Sequence, residues 1–85
     1  MEKRELADAI VEFSTRYRLF NHSENMIVEK VTEQLSESWF VEHLIHIFII
    51  KARHKENMDF GELKKLLLEL EKVRLDLEYD EQEVL

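Results

Sequence analysis

A chain of 85 residues with no proline and one glycine, Gly61, has almost nothing from which to build tight turns. The turns of β-proteins consume Gly, Pro and Asn in quantity. What remains here is long segments rich in Glu, Leu, Lys, Arg and Ala, all good helix formers. The expected fold class is all-α.

Residues 2–20 space Leu6, Ile10, Phe13, Tyr17 and Phe20 by 4, 3, 4 and 3, the seam of a helix lying along another helix. Glu12 supports Arg16 one turn later. Asn21 then caps a second helix, with Glu24 reaching back from its third position. The connection is short, so the first two helices should be antiparallel neighbours.

The second helix reads from about residue 22 to 56. Its first half turns Ile27, Val28, Val31 and Leu35 to one face, and its second half is apolar nearly all round from Phe40 to Ile50. The stripe formed by Val41, Leu44, Ile45, Phe48 and Ala52 is rotated by about 100° from the first-half stripe. Two readings fit. The helix breaks at Ser36-Glu37-Ser38, where a serine caps a restart stapled by Leu35 and Phe40, or one long helix passes from one packing partner to another. With no Gly or Pro to force a stop, the continuous helix is the expectation. The β-branched run 45–50 also suits a strand, but a lone strand would leave its backbone groups unpaired.

Asp59 marks the next boundary as a cap, with Glu62 three residues on and Met58 stapled to Leu63. The third helix sets Leu63, Leu66, Leu70, Val73 and Leu77 on one side. Leu68, Leu75 and Tyr79 form a second stripe about 120–160° away. Residues 80–85 are acidic and should fray, leaving a single domain over 1–79. The architecture expected is a three-helix bundle with a long central helix, or a four-helix bundle if the chain breaks near 36–38.

So small a domain has a thin stability margin, and a hydrophobic content of 45% is more than it can easily hide. Association, with homo-oligomerisation as its simplest form, is therefore expected. The net charge of −7 opposes an electrostatic grip on nucleic acid or anionic lipid. The most apolar stretch, Trp39 to Ile50, has 12 residues interrupted by Glu42, His43 and His46, too short to cross a bilayer, which takes about 20. The charged residues from Glu2 to Glu5 do not resemble a secretory leader, and the absence of cysteine fits a reducing compartment. A cytoplasmic location is expected.

No residue pattern supports catalysis. A single glycine cannot make a phosphate-binding loop, and Ser14, Ser23, Ser36 and Ser38 lack a nucleophile motif. No cofactor is expected. His43, His46 and His54 share a face on a continuous helix, and a His pair three apart can bind zinc. Glu42-His43-Leu44-Ile45-His46, however, is not the metalloprotease order, so no metal is assigned.

The candidate surfaces are two. Trp39, His43, His46 and Ile50, spaced 4, 3 and 4, form a seam that has the composition of a protein contact and equally suits the second side of a central helix sandwiched by the first and third. Leu68, Leu75 and Tyr79 form the other. A basic patch, Lys51, Arg53 and Lys55, could touch phosphate near a helix end, but it equally complements the helix dipole. The sequence therefore points to a non-enzymatic protein-interaction module, a small regulator, adaptor or inhibitor that binds a larger protein. A nucleic-acid-associated regulator using residues 51–55 is the alternative.

Overall fold

A computed structural model describes residues 2–34 and 37–83, without the side chains of Val31 and residues 81–83. It contains four helices: α1 (Lys3–Arg16), α2 (His22–Gln34), α3 (Ser38–Ala52) and α4 (Phe60–Glu83). No strand occurs among the described residues, and the run 45–50 is helical. The fold is the all-α bundle in its four-helix form.

The continuous helix over 22–56 is not formed. Between Gln34 and Ser38 the chain breaks, and Glu37 is extended at φ −134° and ψ 130°. The phase of the stripes supplies the reason. On one continuous helix the buried Val28 and Thr32 would lie about 180° around from the buried Val41, Leu44 and Phe48, whereas a restart lets each helix choose its own rotation. The cap at Ser36 and the staple from Leu35 lie outside the described residues.

The first helix is also shorter than its seam suggests. It stops at Arg16, and Tyr17 and Phe20 belong to the connection. Leu19 N–H donates to the Ser14 carbonyl (3.0 Å) and Arg18 N–H to the Thr15 carbonyl (3.2 Å). This paired pattern is a Schellman cap. Arg18 takes its left-handed position at φ 51°, where glycine is the usual residue, so nothing in the local composition announces the stop. Leu19 and Phe20, just past the cap, are buried.

The cap of α2 is as the spacing implies. Glu24 N–H donates to Asn21 Oδ1 (2.8 Å), and Asn21 N–H donates back to the Glu24 carboxylate (3.2 Å). At the start of α4, Glu62 N–H donates to Asp59 Oδ1 (3.1 Å). The return bond is replaced: Asp59 N–H donates to the Tyr17 hydroxyl (3.2 Å). The Glu62 carboxylate instead takes both Arg16 guanidinium nitrogens at 2.6 and 2.7 Å. This fork raises the Arg16 pKa, chiefly through its hydrogen bond to Glu62. It is exposed, so its stabilising effect is small, but its planar geometry fixes where the end of α1 meets the start of α4.

α1 packs mainly on α2 and α3 mainly on α4, and lighter α1–α4 and α2–α3 contacts join the two hairpins. Leu6, Ile10 and Phe13 from α1, Val41, Leu44 and Phe48 from α3 and Leu63, Leu66 and Leu70 from α4 form the centre. The Phe48 ring meets Phe13 and Phe20 edge-on, at centroid distances of 6.3 and 5.7 Å, a favoured aromatic geometry. α4, at 24 residues, is the longest element. It continues through residues 80–83, which the sequence reading assigned to the tail, while residues 84–85 lie outside the description.

Candidate functional site

Each of α3 and α4 buries one face and leaves an apolar stripe on the other. In α3 the buried residues are Val41, Leu44, Phe48 and Ala52. Trp39, His43, His46 and Ile50 lie about 180° around the helix from them. In α4 Leu63, Leu66 and Leu70 are buried, and Leu68, Leu75 and Tyr79 lie on the far side, about 120–160° away. Exposure decides that these are surfaces: Trp39 is 59% exposed, Ile50 44%, Leu68 60% and Tyr79 63%. Both buried faces belong to one shared core with α1, so each apolar stripe lies on the outer side of its own helix.

The α3 face is the more continuous. Trp39 stacks on Phe40 at a centroid distance of 3.8 Å. Trp39, Glu42, His43, Ile45, His46 and Ile49 line an open hollow of about 480 Å³. Beside it a smaller cleft of about 90 Å³ runs between α2 and α3, lined by Ile27, Val28, Phe40, His43, Leu44 and Ile47. Between Trp39 and Ile50 the only acidic or basic side chain besides the histidines is Glu42. Its electrostatic neighbour across the α3–α4 contact is Arg74. Arg74 also binds Glu71 and, at 3.0 Å, Glu78, and the hydrogen bond to Arg74 lowers the Glu71 pKa.

The α4 stripe differs in texture. Lys64, Lys65, Lys72 and Asp76 are exposed around Leu68 and Leu75, and Glu69 is half-buried. A shallow hollow there is lined by Lys65, Leu66, Leu68 and Glu69.

Ile27 falls outside the inner stripe expected of it. It is 63% exposed, and Met26 beside it is exposed too. The inward positions of α2 include Val28 and Thr32, one turn apart, both buried. Thr32 is tolerated there because its hydroxyl donates to the Val28 carbonyl, a local bond that satisfies a buried polar atom. Reading α2 by hydrophobicity alone hides that choice. The threonine four residues after a valine was the available signal.

The basic patch is dispersed. Lys51 is half-buried, with Nζ 3.1 Å from the Glu24 carboxylate and 5.8 Å from the Phe20 ring centre. The bond from Asn21 N–H, and then that from Lys51, lowers the Glu24 pKa. Arg53 is exposed and Lys55 half-buried. α3 ends at Ala52, so His54 lies in the following turn, off the helical face that carries His43 and His46. Among the described residues no group of three or more His, Cys, Asp or Glu side chains is arranged to hold a metal ion. None of the described helices is long and apolar enough to cross a membrane.

No protein-family model matches the chain, and no curated protein or solved structure matches it significantly.

Proposed function

We propose that this chain is a non-enzymatic protein-binding module, a small regulator or adaptor that covers a surface on a larger protein with the outer face of α4. One observation carries the proposal. Leu68, Leu75 and Tyr79 stand in solvent on the face opposite the one α4 gives to the core. A lysine or glutamate at any of the three would serve the helix equally well, so folding does not account for their apolar character. Binding does. The charged residues around them suit an interface that forms and separates, with an apolar centre and a polar rim.

The test is affinity capture by the full chain and by a Leu68→Lys/Leu75→Lys variant from extracts of the source cell. Circular dichroism confirms that both are equally helical. A protein held by the wild type and lost by the variant supports the module. Identical capture by both, or none by either, refutes it.

A further inference from the structure

We infer that the outer face of α3 is a homodimer seam on which a second copy of this chain lays its own α3 antiparallel, with the two-fold axis passing between His43 and His46. The inference rests on the reading of this protein as an interaction module but concerns a different face and a different partner. A helix apolar nearly all round belongs inside a larger core. α3 is such a helix, and its own chain covers only one side of it.

Three features choose a second copy as the occupant. The first is charge. A chain of net charge −7 repels its own kind, so self-association is confined to a face where charge is sparse. Between Trp39 and Ile50 only Glu42 is acidic, and Arg74 of α4 stands in its field. The second is area. From the exposures of Trp39, Ile49, Ile50, Ile27, His43 and His46, roughly 500–600 Å² of side chain is uncovered, approaching the ~800 Å² per partner of a standard interface. Phe40 and Ile47, partly buried on one flank, add a further part.

The third feature is self-complementarity. A two-fold contact must pair each residue with a partner from the same list. The spacing 39, 43, 46, 50 is symmetric about its midpoint. Antiparallel pairing sets Trp39 against Ile50 of the second copy and His43 against its His46, so the bulky residues close both ends. It also runs the helix dipoles in opposite directions. A parallel pairing would put Trp39 against Trp39 and align the dipoles.

The seam then holds four imidazoles at its centre. The acidic or basic group in the seam region beside them is Glu42 of α3, whose field is felt by Arg74 of α4. α2 brings Ile27 and Val28 to the side of His43.

Sedimentation equilibrium of the full chain over a range of concentrations tests the seam. The expected results are a dimer for the wild type, a monomer for Ile50→Glu and an unchanged dimer for Leu75→Glu. Because the chain has no cysteine, a mixture of Trp39→Cys and Ile50→Cys proteins should crosslink under mild oxidation, while neither does so alone. A wild-type monomer, or a dimer lost in Leu75→Glu but kept in Ile50→Glu, overturns the proposal. Self-crosslinking of Trp39→Cys overturns the antiparallel pairing. A monomer that still captures a protein through Leu68 and Leu75 removes the seam and leaves the module, and a dimer that captures nothing does the reverse.

Discussion

Leu68 and Leu70 are two residues apart on the same helix, and truncating each to alanine should give very different costs. Leu70 is fully buried. Removing its outer carbons loses their transfer free energy and leaves a cavity, about 3 kcal/mol together. Leu68 keeps 60% of its surface in water. At roughly 0.8 kcal/mol per buried CH₂, the covered part of the lost atoms is worth about 1 kcal/mol at most. Both positions lie inside α4, so the small gain in helix propensity from alanine is common to them and cancels. The gap should be at least ~2 kcal/mol, a large share of the total stability of so small a domain. Urea unfolding followed by far-ultraviolet circular dichroism measures it, at a fixed low concentration so that association contributes equally. The transition slopes should agree, since both variants expose similar surface on unfolding. Equal losses at the two positions would refute the assignment of Leu68 to a free surface, and with it the basis for a docking face on α4.

Arg18→Gly should stabilise the fold by about 0.5–1 kcal/mol, because glycine occupies the left-handed position of a Schellman cap without the side-chain clash arginine suffers; thermal unfolding would show a rise of a few degrees. Ser14→Ala should be neutral or stabilising by up to about 1 kcal/mol, since the buried Ser14 hydroxyl has no hydrogen-bond partner among the described residues, and a loss in denaturant unfolding would show that the hydroxyl is satisfied. The Glu24 carboxyl is held below its ordinary value of 4.5 in the folded chain, so its contribution is complete above that value and lost as pH falls through the depressed one. Glu24→Gln should flatten that part of the acid-unfolding curve, whereas an unchanged slope would mean that the Asn21 and Lys51 contacts do not persist in solution.

The helical class, the caps at Asn21 and Asp59 and the buried stripes of α1, α3 and α4 were all legible because each depends on local spacing. The spacing of the two exposed stripes was legible for the same reason, but for Trp39, His43, His46 and Ile50 it left open an outer face or the second side of a central helix, and exposure decides between them. What was not legible depended on tertiary geometry. The stop at Arg16 uses an arginine where glycine is expected. The break before Ser38 relieves a phase conflict that composition does not punish. Ile27 lost its inward place to Thr32, a residue whose burial requires a hydrogen bond that hydrophobicity does not register. Lys51 looked like part of a free basic cluster until the fold brought Glu24 and Phe20 beside it.

Because the two exposed stripes lie on different helices, the two proposed contacts can form at once. If α3 met α4 of the next copy, the contact would be head-to-tail, and such contacts continue into open filaments unless the rotation closes. A two-fold α3 seam avoids this by using each α3 once, and it leaves an α4 stripe facing outward on each side of the dimer. A protein so built is bivalent. On a surface crowded with its target, the second α4 face should rebind before the first leaves, slowing release by ~10²-fold or more without any new contact. Ile50→Glu should abolish that retention while leaving the affinity of a single α4 face for soluble target unchanged. Surface plasmon resonance at high and low target density separates the two quantities. Release of wild type and Ile50→Glu at the same rate from the dense surface would mean that the seam contributes nothing to binding, even if the dimer forms.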